Sequence, residues 1–152
     1  MNVKDIPQKE VFRYLGYHNT IPSETIQSVV IDCISELLNH CSMHHTYKIF
    51  DCTIQHTKII IDNYVIIESK NLSKNLNECN QVILFAATLG VQADILLKKY
   101  SHIDMSKAVI MQAAAAAVIE EYCDQCQMEI EKTLAKQKLF LRPRFSPGYG
   151  DF

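Results

Sequence analysis

The sequence predicts an α+β fold, a mixed or antiparallel sheet with packed helices that include one long alanine-rich helix. Helical spacing of apolar residues dominates the first forty positions and again everything after about residue 93. Between these, residues 47–67 are rich in β-branched and aromatic side chains, the composition of strands. The run Ala113 to Ala117 adds the best helix former to the second helical stretch. The order of elements fits α+β or a mixed α/β layer and leaves the strand order open.

Taken in order, a short helical stretch is expected from Glu10 to Leu15, ending near Gly16. Pro22 and a Ser-Glu start then introduce an amphipathic helix from Ser23 to Leu38, with Ile26, Val29, Val30, Cys33, Ile34, Leu37 and Leu38 at helical spacing. Strands follow at Tyr47–Ile54, Lys58–Ile61 and Tyr64–Ile67, with Asp62-Asn63 as a turn. Leu72 to Leu76 reads as a short helix. The continuous apolarity of Gln81 to Gly90 predicts a central strand covered on both faces and closed by Gly90. A helix from Ala93 to Tyr100 and a long one from Met105 to Gln137 come next. The small side chains of the alanine run allow another element to approach closely. Leu139-Phe140-Leu141 is expected as a last short strand.

A chain of 152 residues, 48% of them hydrophobic, can bury the core of one domain, expected over residues 1–152. The net charge of −2, with Lys and Arg scattered, argues against a nucleic-acid partner. No apolar stretch is long enough to cross a bilayer and the N-terminus lacks the apolar centre of a secretory signal, so a soluble cytoplasmic protein is expected, without a membrane partner. In that reducing compartment Cys33, Cys41, Cys52, Cys79, Cys123 and Cys126 are expected as free, mostly buried thiols.

The least ordinary segment is Arg142-Pro143-Arg144-Phe145-Ser146-Pro147-Gly148-Tyr149-Gly150-Asp151-Phe152. Prolines with fixed φ alternate with permissive glycines, among guanidinium groups and aromatic rings. Such a segment can expose main-chain donors and acceptors to a ligand while a ring or an arginine packs against it. A turn-rich tail is the plainer reading of the same composition.

The string Arg-x-x-x-Gly-Tyr, here Arg144, Gly148 and Tyr149, follows a long alanine-rich helix and a short apolar run. It resembles the S-adenosylmethionine-binding motif of the activation domain of cobalamin-dependent methionine synthase. The fuller Arg144-to-Phe152 string is similar to short, free-standing bacterial members of that family. Leu84-Phe85-Ala86-Ala87-Thr88-Leu89-Gly90 resembles the family's strand ending in a Thr/Gly turn. Ala116 to Asp124 resembles the family helix that supplies an acidic ligand residue, which falls on Glu120, with Glu121 as the neighbouring alternative. The resemblance covers roughly Gln81 to Phe152, and the first eighty residues match only loosely.

That resemblance implies an accessory protein for methionine biosynthesis that binds S-adenosylmethionine and supports reductive methylation of cobalamin. The cobalamin would reside on a partner, a methionine synthase or another corrinoid protein, with a flavodoxin as electron donor. The chain alone would not be a complete methyltransferase and carries no expected catalytic residue. The expected ligand residues are Glu120, Arg144, Ser146, Pro147, Gly148 and Tyr149. A carboxylate at Glu120 would meet the ligand's ammonium in a charge-assisted hydrogen bond. Family members continue past the Gly-Tyr motif, so a shortened form of the domain is expected. The alternative is a docking module for a corrinoid protein that binds no small molecule.

Glu120 also has a plainer reading. It lies on a polar helical stripe with Ala116, Asp124, Gln127 and Glu131, beside the apolar seam Ile119, Cys123, Cys126, Ile130 and Leu134. Cys123 and Cys126 sit in mid-helix on that seam, away from the helix N-terminus a redox thiol needs and without the second pair a zinc site needs. His40, His44 and His45 with Cys41 form another candidate cluster, in which His40 and His44 are spaced i, i+4 and could hold a metal if the helix extended that far; histidines near a helix C-terminus are the commoner case. No metal site is expected.

Overall fold

A computed structural model describes every residue of the chain except Asn19 and Tyr149. Among the described residues the fold is α+β, with a four-stranded antiparallel sheet and five helices. A 3-10 turn at Val3–Asp5 leads into α1 (Gln8–Tyr14) and α2 (Glu24–His40). The strands β1 (His44–Gln55), β2 (Lys58–Ile61) and β3 (Val65–Glu68) follow, then α3 (Lys70–Asn75) and β4 (Gln81–Thr88). The helices α4 (Val91–Ile103) and α5 (Met105–Ala135) complete the regular structure.

The chain forms two compact units, each assembled from two separate segments. The first holds Met1–His45 and Ala87–Ile130; the second holds Thr46–Ala86 and Glu131–Phe152.

In the first unit, α2 begins as expected at Ser23, whose hydroxyl accepts from the Ile26 N–H at 3.5 Å, the usual way a serine caps a helix. Its buried face, Val30, Cys33, Ile34 and Leu37, shares a core with Ala93, Leu96 and Tyr100 of α4 and with Met111, Ala113, Ala114, Ala117 and Val118 of α5. Ala114 is fully buried, and the alanine run supplies the close-packed surface expected of it. Asp104 starts α5 by accepting from the Lys107 N–H at 3.0 Å, again a side-chain cap. A polar network ties the three helices. The Tyr100 hydroxyl donates to Glu36 at 2.8 Å, Lys107 Nζ lies 3.3 Å from the same carboxylate, and Lys99 Nζ 3.9 Å.

Burial raises the Glu36 carboxyl, but the hydrogen bonds from Tyr100 and Lys107 overcome that and hold it below the ordinary carboxylate range. Lys107 is held above its ordinary value, chiefly by its hydrogen bond with Tyr100. At the start of α4, Gly90 adopts φ +82°, and a Cβ there would meet the Ser42 carbonyl oxygen at 2.8 Å. Only glycine satisfies both conditions.

In the second unit, β1 and β2 form a tight hairpin through His56-Thr57, and β2 and β3 a second one through Asp62-Asn63-Tyr64. His56, Asp62 and Asn63 take positive φ, which Asn, Asp and His tolerate best. The register pairs Cys52 with Ile61 and Ile54 with Ile59, and Ile59 in turn with Ile67. These side chains make one apolar face with Leu72 of α3 and with Leu76, the residue that follows the helix. Cys52 and Cys79 belong to the same cluster as free thiols.

The sheet order is β3-β2-β1-β4, so β4 is an edge strand and not the central one expected from its apolar run. Its residues alternate between partly buried and exposed, Leu84 being 46% exposed. An apolar run specifies a strand but not how many faces are covered, and Ala86 and Thr88 are small enough to face water. The expected strand at Leu139-Phe140-Leu141 is likewise absent from the described residues, and Phe140 is 88% exposed. Three residues followed by Arg142-Pro143 have no ladder partner, and Pro143 has no N–H to offer one.

Candidate functional site

The described residues of the C-terminal segment form a loop of the second unit. Past α5, Lys138 takes a positive φ of 59°. The Leu139 N–H donates to the Leu134 carbonyl at 3.1 Å, a helix stop in which lysine stands where glycine is usual. The Arg142 guanidinium then donates to the Asn77 carbonyl at 3.2 Å. The Asn75 side-chain amide donates to the Pro143 carbonyl, also at 3.2 Å. Phe145 and Phe152 join the second unit's apolar cluster, their ring centroids 6.1 Å apart.

Between those rings, Gly148 and Gly150 adopt φ +89° and +64°. The Gly148 N–H donates to the Phe152 carbonyl at 2.8 Å and closes the loop. Asp151 fastens it to α3. One carboxylate oxygen accepts from the Ser69 hydroxyl at 2.6 Å and the Asn71 N–H at 3.2 Å, the other from the Lys70 N–H at 2.7 Å. The Ser69 hydrogen bond, then those of Lys70 and Asn71, hold the Asp151 carboxyl below its ordinary range. Phe145 and Phe152 thus tie the two ends of a turn-rich stretch into one apolar cluster.

Of the expected ligand residues, Arg144, Ser146, Pro147 and Gly148 are exposed on this loop. Tyr149 lies outside the described residues. Glu120 belongs to the first unit, exposed on α5, while Glu121 is half-buried. Along α5, Glu120, Asp124 and Glu131 face water and Cys126, Ile130 and Leu134 are buried, while Ala116 and Gln127 of the expected stripe and Ile119 and Cys123 of the expected seam are half-buried.

The histidine reading resolves differently. His40 ends α2 and His44 begins β1, so the pair does not share a helical turn. His44 Nε2 lies 3.0 Å from the Ser42 hydroxyl. His45 Nδ1 lies 2.9 Å from the Tyr122 hydroxyl and 3.3 Å from Cys126 Sγ. Which of these groups donates depends on the imidazole tautomer. Among the described residues no group of three or more His, Cys, Asp or Glu side chains is arranged to hold a metal ion. All six cysteines are free; burial pushes Cys33 up to about 11 and raises Cys41 and Cys52, which keeps these thiols protonated. No helix among the described residues is long and apolar enough to cross a membrane.

Sequence reasoning missed Asp151. Its partners Ser69, Lys70 and Asn71 lie some eighty residues earlier, and only Ser69's position ahead of a short helix hinted at a capping site. Comparison with known family models and with curated proteins found no match.

Proposed function

We propose that the protein is an S-adenosylmethionine-binding accessory protein that supports reductive methylation of cobalamin in a cytoplasmic, cobalamin-dependent methionine synthase. The observation that carries this reading is the Arg144-to-Phe152 string, whose likeness to the activation-domain motif is joined by the exposure of Arg144, Ser146, Pro147 and Gly148. Gly148 and Gly150 adopt positive φ there, a backbone conformation that a β-carbon opposes. The loop is tied down on both sides, so little ordering entropy would be lost on binding.

In this proposal the loop cradles the ligand largely through its main chain, and the Arg144 guanidinium, which suits planar carboxylates, takes the ligand's carboxylate. The cofactor supplies a methyl group to a cobalamin held by a partner polypeptide, with a flavodoxin as reductant. The chain's own part is to bind and orient the methyl donor.

Isothermal titration with S-adenosylmethionine, and S-adenosylhomocysteine for comparison, tests the reading. Saturable binding that Arg144→Ala weakens without unfolding the protein supports it. If neither ligand binds, the proposal is lost. If a corrinoid protein binds equally well with and without S-adenosylmethionine while no cofactor is held, the docking-module reading takes its place.

A further inference from the structure

The loop has two unlike anchors. Phe145 and Phe152 are apolar and belong to the second unit's core, whereas Asp151 is a surface carboxylate whose three hydrogen bonds all end on α3 and the residue that caps it. An apolar anchor holds position but tolerates sliding, since dispersion contacts have little directional preference. A carboxylate that uses both oxygens on three donors fixes orientation as well. At the centre of that contact is Ser69, 2% exposed. Its hydroxyl donates to Asp151 and accepts from the Leu72 N–H at 3.0 Å, so the carboxylate is coupled directly to the first turn of α3.

The loop's own chain reverses immediately beside this contact. Gly150 precedes Asp151, and a Cβ on it would stand 2.5 Å from the Asn71 side-chain amide. The loop therefore lies against the turn that Asp151 caps. The Gly148 N–H is in turn closed onto Phe152, the residue after Asp151. Release of Asp151 would unfasten the chain just before Phe152, the accepting end of the Gly148–Phe152 closure, and so loosen the path of the loop around Gly148.

We infer that Asp151 is the positioning residue of the ligand loop: through Ser69, Lys70 and Asn71 it holds the loop around Gly148 in the conformation that receives S-adenosylmethionine, without itself touching the ligand. This inference rests on the function proposed above. A merely structural role would tie affinity to global stability. A positioning role separates them, because the apolar anchors Phe145 and Phe152 keep the tail attached while its apex loses its geometry.

The experiment combines titration of the full chain with S-adenosylmethionine, thermal unfolding, and amide hydrogen exchange over residues 146–152. Asp151→Asn keeps shape and one acceptor but loses the charge. Its expected dissociation constant is about tenfold higher, the loss of one charge-assisted contact, with little change in unfolding midpoint and faster exchange confined to the loop. Ser69→Ala is expected to act in the same direction by a smaller factor, and Asp151→Glu to restore part of the affinity. Unchanged affinity in Asp151→Asn overturns the inference, and so does a loss of midpoint in proportion to the loss of affinity. If the unsubstituted chain does not bind the cofactor, the functional reading fails by itself. The exchange arm then decides Asp151 separately: loop amides as protected in Asp151→Asn as in the parent chain overturn its positioning role, and loss of that protection upholds it.

Discussion

The first unit draws its core from helices that meet across alanines, whereas the second shares its core between a short sheet, a six-residue helix and the C-terminal tail. In the first, polar groups inside the packing are tied to one another, as Tyr100, Glu36 and Lys107 are. In the second, the polar ties run from the core's edge to the loop that carries the candidate ligand residues. Stability in the helical unit is therefore a matter of volume and burial. In the sheet unit, the contacts that stabilise the tail also shape its loop.

The largest test of this contrast is core truncation. Leu37→Ala and Ile59→Ala each remove a fully buried side chain and should cost about 2–5 kcal/mol in chemical denaturation. Only Ile59→Ala should also speed exchange of the loop amides. Equal effects on the loop from both would dissolve the distinction.

Two glycines sharpen it further. Gly90→Ala meets left-handed strain and a backbone carbonyl that cannot rotate away. Its loss, read by urea unfolding, is expected at the upper end of the range for a strained backbone position, about 1–3 kcal/mol. Gly148→Ala meets open space and should lose only the strain, about 1 kcal/mol. A costlier Gly148→Ala would mean that the loop is packed more closely than its exposure indicates.

Tyr100→Phe removes the hydroxyl that donates to Glu36. Near neutral pH the loss of this bond to a charged, part-buried group should cost about 1.5 kcal/mol. Because folding depresses the Glu36 carboxyl, its stabilisation is present above the unfolded carboxylate value and is lost as pH falls through the lower, folded one. The gap between parent and variant should close on acidification, as followed by urea unfolding across acid pH. A gap independent of pH would remove Glu36 as its cause.

The smallest effect is local. Asp151 follows the same sign, depressed when folded, so acidification should release the loop before the core. Hydrogen exchange of residues 146–152 at falling pH would read it, and loop protection that persists until global acid unfolding would contradict it.

The helices were legible because their apolar spacing is long and regular: α2 and α5 lie within a few residues of their expected limits. The hairpins were legible from β-branched runs broken at Asp62-Asn63. Burial of β4 was not, since Val82 to Leu89 would read alike in a central or an edge strand. Leu139-Phe140-Leu141 misled because apolar identity does not supply a pairing partner. At the candidate site, the odd composition of residues 142–152 was visible, but its anchoring was not. The bond from Ser69 to Asp151 joins residues that no local pattern connects.

Each unit's discontinuity also bears on how the chain folds as it is made. The hairpins of β1, β2 and β3 need only neighbouring residues and can pair soon after synthesis. By contrast, α2 exposes Ile34 and Leu37 until α4 and α5 emerge, a delay on the order of ten seconds at ~5–20 residues per second. Through that interval the chain carries an unfinished helical core beside a nearly finished sheet. Nascent-chain aggregation and chaperone capture should therefore concentrate on the α2 segment, although in the finished protein its buried face is among the best protected surfaces.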